Sequence, residues 1–307
     1  MKILLIGPGS VGAYFCGRAA QGGALVEVVA RRGHEEIRRD GFTIRSIAGD
    51  FLFRPARVLH GAGEASADID LIVLATKVLP DIDRPALLRP AAMRANRPPI
   101  MLLQNGIGIE DEIAANFPQN ELLSAVAYIG ASRSAVNVID HRGSGRLILG
   151  RFGGGSSPAA EMAAELFRAG NIPCEVTGNI ALERWRKLLW NLPFNPVSVI
   201  SGGLDTRQMC DGGEMEKLCS GLMDEVIAVA NARGVPLTRK MAEEQLEYTR
   251  NFPAYKTSML QDFLAGRPLE IDAIIGNAAK IAAAENLHTP LIDCCTAFLR
   301  ALTRPKA

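Results

Sequence analysis

The sequence predicts an α/β domain followed by an all-helical one, and three features of its pattern carry that prediction. Short apolar runs alternate with helical patterns through the first half of the chain, as in successive βαβ units. A glycine-rich segment, Gly7-Pro8-Gly9-Ser10-Val11-Gly12, stands between an apolar strand pattern and a small-residue helix pattern. From Asn179 onward long helical patterns dominate and strand-like runs nearly disappear.

Taken in order, Lys2–Ile6 reads as a buried strand, Val11–Gln21 as a helix and Leu25–Ala30 as a second strand. His34–Asp40 predicts a short helix, and Phe42–Arg45 with Phe51–Arg54 a hairpin. Ile69–Ala75 and Ile100–Leu103 are continuous apolar runs, the mark of strands covered on both faces. Leu122–Ala131, Val136–Asp140 and Arg146–Gly150 continue as strands, and a Gly/Ser/Pro turn at 153–158 opens the helix Ala159–Arg168. Helical periodicity then predicts Ile180–Leu192, Glu214–Arg233, Lys240–Arg250, Ile271–Ala284 and Leu291–Leu302. The boundary falls near Thr177-Gly178, giving domains at 1–177 and 178–307.

At 307 residues, two domains are expected and a sizeable core can be buried. A net charge of +1 supplies no global field toward nucleic acid or an anionic membrane, so any anionic ligand must be held by local groups. The apolar run after Lys2 is too short for a signal peptide and is broken at once by Gly7-Pro8-Gly9. No stretch has the length of a membrane span. The six cysteines show no metal spacing and read as reduced thiols, which fits a cytoplasmic protein. His34, His60, His141 and His288 are expected at loop or helix-edge positions, and no metal site is expected.

The glycine segment has the strand–turn–helix context of a phosphate-binding turn. Gly7 permits the tight turn, Gly9 lets a pyrophosphate approach the backbone, and Gly12 allows the helix to pack closely on the strand. Pro8, Ser10 and Val11 complete the cradle, and the first turn of the helix offers unpaired N–H groups. These features predict a Rossmann-type nucleotide-binding domain. An NAD site calls for an acid at the end of the second strand, where this chain has Ala30-Arg31-Arg32. Glu27 lies too early in the strand. Arg31 suits a ribose 2′-phosphate, so the cofactor expected is NADPH; a solvated arginine pair is the plainer alternative.

Ligands of open α/β sheets bind at the carboxyl ends of the strands. Thr76-Lys77 and Gln104-Asn105-Gly106 follow two such ends. In the helical half, Lys187, Asn191 and Asn195 recur every four residues on one helix face, among Trp185, Leu188, Leu189, Trp190 and Leu192. Such polar groups face either a ligand or solvent, and spacing alone leaves both readings open. Pro193 is expected to kink the helix between the two asparagines.

The order GxGxxG, strand-end Arg31, Lys77, Leu-Gln-Asn-Gly and Lys-x3-Asn-x3-Asn-Pro resembles the ketopantoate reductase (2-dehydropantoate 2-reductase) family. Lys256-Thr257-Ser258-Met259-Leu260-Gln261-Asp262 followed by Leu269-Glu270-Ile271-Asp272 extends the resemblance to about Leu291. It implies NADPH-dependent reduction of a small 2-keto acid, 2-dehydropantoate to pantoate in pantothenate biosynthesis. It implies that Lys187 is the general acid, that Glu270 bonds the forming hydroxyl, and that Asn191, Asn195 and Ser258 hold the substrate. Asn105 resembles the family asparagine at the cofactor–substrate junction, and Lys77 the lysine near the cofactor. A homodimer through the helical domain is a further family-level expectation.

The chemistry is consistent with those roles. Hydride addition to a ketone builds charge on oxygen, and a protonated lysine stabilises it and supplies the proton. Two rival readings remain. One is a β-hydroxyacid or 6-phosphogluconate-type dehydrogenase, against which Ser258 and Glu270 speak. The other is a non-catalytic NADPH sensor, against which the Lys187/Glu270 pair speaks.

Overall fold

The computed structural model describes residues 1–304. Its elements are β1 (Lys2–Ile6), α1 (Ser10–Gln21), β2 (Leu25–Val29), α2 (His34–Asp40), β3 (Phe42–Ser46), β4 (Phe51–Phe53), β5 (Arg57–Leu59) and β6 (Leu71–Leu74). Then come α3 (Arg84–Ala92), β7 (Ile100–Leu102), α4 (Asp111–Asn116), β8 (Leu122–Ala135), β9 (Val138–Arg151), α5 (Pro158–Ala169) and β10 (Cys174–Val176). The helical part holds α6 (Ile180–Ile200), α7 (Glu214–Ala232), α8 (Arg239–Asn251), α9 (Ser258–Leu264), α10 (Asn277–Ala284) and α11 (Pro290–Leu302). A π turn, Asp272–Gly276, leads into α10.

The chain forms two compact units. The first comprises Met1–Lys77, Asp81–Asn105 and Glu110–Ile180; the second takes Val78–Pro80, Gly106–Ile109 and Ala181 onward. In the first unit one sheet runs β4-β3-β9-β8-β7-β6-β1-β2-β5, with β10 beside β9. The strands from β8 to β5 are parallel, and β1 pairs with both β2 and β6. Because the chain leaves β1 toward β2 and later returns to its other side through β6, the order reverses at the carboxyl end of β1. The glycine turn starts there. Ile3 and Leu5 of β1, Ala13, Phe15 and Ala19 of α1, and Ala160, Ala163 and Phe167 of α5 share one core.

The expected strands and hairpin are present, with two differences. Val138–Asp140 and Arg146–Gly150 are not separate strands but parts of β9, and Val136 and Asn137 form the turn that leads into it. The long pairing with β8 carries the backbone through Gly143 to Gly145 as irregularities, with Ser144 and Gly145 at positive φ. His141 consequently lies inside β9, 2% exposed and packed at a tilt against the Tyr14 ring, rather than at a loop.

In the second unit, α6 departs most from expectation. The helix expected over Ile180–Leu192 instead continues to Ile200, through both Pro193 and Pro196. Leu188, Leu189, Leu192, Phe194, Val197 and Val199 are buried in that unit's core. At about 1.5–3 kcal/mol each, their burial outweighs about 3 kcal/mol for each interior proline. The single helix expected over Ile271–Ala284 is interrupted by the π turn. No helix among the described residues is long and apolar enough to cross a membrane.

Candidate active site

The glycine turn uses each glycine differently. Gly7 has φ +86°, and a Cβ on it would lie 2.6 Å from the Thr76 side chain, so only glycine fits. Gly12 meets Ala75 and Leu5 at about 3 Å, which lets α1 settle on β1 and β6. Gly9 has open space where a Cβ would be. The helical ladder begins with the Ala13 N–H donating to the Gly9 carbonyl, which leaves the N–H groups of Ser10, Val11 and Gly12 without helical acceptors. No acid stands in the first turn of α1. An open, donor-rich and acid-free turn fits a dinucleotide phosphate.

Around it, Gln104 is buried and donates to the Thr76 carbonyl at 2.6 Å and to Thr76 Oγ1 at 3.1 Å. Arg84, also buried, donates to Gln104 Oε1 at 3.4 Å and to Glu112 at 2.6 Å. This network fixes the segment that packs on Gly7. Sequence reasoning missed Arg84 and gave Gln104 no role. The signal available was Asp83-Arg84-Pro85: Asp83 caps α3 by accepting from the Ala86 N–H at 2.9 Å. Lys77 and Asn105, half-buried, follow β6 and β7. Arg31 is exposed beyond β2. Glu27 is buried inside β2, held by the Ser66 N–H at 2.9 Å and by Arg57, and is spent within the fold.

In the helical unit, Lys187 is half-buried on α6. Burial pulls its ammonium down to about 7, Arg184 pushes the same way, and Glu270 opposes both. Arg184, 7% exposed and one turn earlier, donates to the Gly106 carbonyl at 3.0 Å. Glu270 accepts from the Val78 N–H at 2.9 Å. The π turn is tied to the same loop: the Ile107 N–H donates to the Ala273 carbonyl at 3.1 Å, and Asn277 donates to the Ile107 carbonyl at 2.8 Å. Gly106 has φ +101°, and its missing Cβ would stand 2.2 Å from the Ala273 oxygen. Arg184 also escaped sequence reasoning, although its i−3 spacing from Lys187 puts both on one helix face.

Asn191 and Asn195 continue that face at 7% and 2% exposure. Asn195 is engaged inside the unit: its Nδ2 donates to the Asn191 carbonyl at 3.1 Å, and its Oδ1 accepts from the Met259 N–H at 3.3 Å. Ser258, exposed at the start of α9, points its hydroxyl at Asn195 Oδ1 from 3.5 Å. The structure thus gathers Lys187, Glu270, Asn191, Asn195 and Ser258 in the second unit. It places the glycine turn, Arg31, Lys77 and Asn105 in the first.

Two family models match this chain. Ketopantoate reductase PanE/ApbA matches residues 3–154, and Ketopantoate reductase PanE/ApbA C terminal matches residues 179–303. A 2-dehydropantoate 2-reductase of Nostoc sp. is 28% identical over 298 residues, covering 95% of this chain and 92% of its own. The solved 2-dehydropantoate 2-reductase from Methylococcus capsulatus is 39% identical, with a TM-score of 0.92 and 99% of both chains covered. That from Geobacter metallireducens GS-15 is 30% identical, also at a TM-score of 0.92, with 99% and 100% covered. Likeness on this scale in both units leaves one assignment: the chain belongs to the ketopantoate reductase family, nicotinamide-dependent oxidoreductases that act on a keto group.

Proposed function

We propose that the protein reduces 2-dehydropantoate to pantoate with NADPH, in the cytoplasm, as a step of pantothenate synthesis. The observation that carries this reading is Lys187, a half-buried amine on the helix face that Asn191 and Asn195 continue, drawn by its surroundings down to about 7 and acted on by Glu270. A general acid works best when its pKa is close to the working pH. The nicotinamide, when bound, supplies hydride to the ketone carbon. Lys187 gives its proton to the oxygen that becomes the hydroxyl, ends the step as a neutral amine, and regains a proton from solvent. Glu270 accepts a hydrogen bond from that hydroxyl, and its charge favours the protonated lysine beforehand. Asn191 and Ser258 hold the keto acid, with Asn195 fixing the start of α9 as well as facing the substrate.

Residues 1–177 bind the cofactor through Gly7 to Gly12, Lys77 and Asn105, and residues 178–307 hold the substrate. The preference for NADPH is supported by Arg31 at the end of β2 and by the engagement of Glu27 inside the sheet. A homodimer is part of the same reading; α11 carries Cys294, Phe298 and Leu302 exposed at four-residue spacing.

Purified protein should oxidise NADPH when given 2-dehydropantoate, with other 2-keto acids and NADH far poorer. Tight NADPH binding without turnover across a 2-keto acid panel would refute the enzymatic role. Arg31→Ala should erode the ratio of NADPH to NADH efficiency, and an unchanged ratio would refute the 2′-phosphate assignment.

A further inference from the structure

Arg133 has no place in the roles above. It lies near the end of β8, where the register against β9 slips between Arg133 and Ala135. Such a slip re-aims a side chain out of the regular alternation of a strand. The Arg133 Nη2 donates to the carbonyl of Pro8 at 2.9 Å, so its guanidinium is held at the glycine turn. An arginine presents five N–H donors in a planar fork, and Pro8 takes one of them. The residue is exposed, and no carboxylate among the described residues forms an ion pair with it, so its remaining N–H groups are open to a ligand at the turn. Pro8, for its part, brings no N–H to the turn. A cation lacking a countercharge thus stands beside a turn that is one donor short.

We propose that Arg133 is the cationic arm of the phosphate site, its remaining N–H groups hydrogen-bonding the pyrophosphate of the bound dinucleotide. The inference rests on the dinucleotide reading of the turn. The pyrophosphate is the partner because Pro8 belongs to the turn itself, whereas the arginine suited to the 2′-phosphate follows β2. Guanidinium geometry matches two phosphate oxygens at once, which an ammonium does not.

Dissociation constants of NADPH and NADH for wild type, Arg133→Gln and Arg133→Lys test it. Wild-type binding by itself reports on the dinucleotide reading, and the variants report on Arg133. In Arg133→Gln both dinucleotides should weaken by the same factor, about 10- to 100-fold, the value of a charge-assisted hydrogen bond. Arg133→Lys should recover part of the loss, and the salt dependence of binding should be shallower in Arg133→Gln than in wild type. Loss confined to NADPH would move the contact to the 2′-phosphate and overturn the proposal. Unchanged affinities with a lowered Tm would make Arg133 a brace for the turn and overturn it equally.

Discussion

Replacing Arg184 by Gln removes one positive charge from beside Lys187 while keeping a donor for the Gly106 carbonyl. Arg184 precedes Lys187 by three residues on α6, a spacing that brings side chains within about 5–6 Å at their Cβ atoms. Two unit charges about 6 Å apart, through an effective dielectric of about 20, interact by about 2.8 kcal/mol, or about two pH units. That is a ceiling, because the whole displacement of Lys187 runs from 10.5 to about 7 and burial ranks ahead of Arg184 in causing it. The expected rise is therefore about one pH unit. Lys187 donates its proton, so turnover falls as pH rises through its pKa, and this alkaline limb should move up by the same amount. Arg184→Lys should leave the limb in place. The assay is kcat against pH with NADPH saturating, paired with the Lys187 Cε resonance in protein carrying 13C-labelled lysine. A Lys187 titration that stays put in Arg184→Gln refutes the electrostatic reasoning. A titration that moves while the rate profile does not refutes the role of Lys187 as proton donor.

Lys187→Met should stabilise the protein while abolishing turnover. Below about pH 7 both folded and unfolded chains carry the protonated lysine, and the folded one bears the full cost of burying it. That cost is relieved as pH rises from about 7 toward 10.5, where only the unfolded chain still holds the proton. The variant's Tm should thus exceed wild type by about 2–4 °C at pH 6, with the gain shrinking by pH 10; a gain that does not fall with pH would contradict the linkage. Gly106→Ala and Gly9→Ala separate fold from ligand. The first forces a side chain into positive φ and onto the Ala273 carbonyl, which should cost about 3 kcal/mol or more by urea denaturation. The second meets nothing in the fold and should leave Tm within about 2 °C while weakening NADPH.

Much of the fold was legible because β1, β6 and β7 are uninterrupted apolar runs bounded by glycine or polar residues, a pattern that local sequence decides. The proline-rich end of α6 was not, because its continuity depends on side chains buried among distant helices rather than on local propensity. The π turn escaped for a related reason: Ala273 and Asn277 are placed by hydrogen bonds to Ile107, 166 and 170 residues earlier in the chain. At the candidate site, strand–turn–helix context singled out Gly7 and Gly12 and four-residue spacing singled out Lys187, whereas Glu270 entered only through the family resemblance. Arg84, Arg133 and Arg184 could not, since one arginine among many declares nothing until the carbonyl or amide it meets is known. Spacing also singled out Asn195, but not its engagement with the Met259 N–H, which depends on a helix 64 residues away.

The helical unit is also not a continuous piece of chain. The polypeptide crosses between units five times, and Val78–Pro80 and Gly106–Ile109 are short loans from the first half of the sequence. One of them, Ile107, is part of the helical core, and another supplies the N–H that holds Glu270. A gene fragment beginning at Ala181 would lack the residue that fills this core and the carbonyl that receives Arg184. For ancestral exchange of modules, and for anyone cutting the protein into pieces, the separable object is the whole chain. The carboxyl-terminal half cannot be swapped from one relative to another without its two borrowed loops.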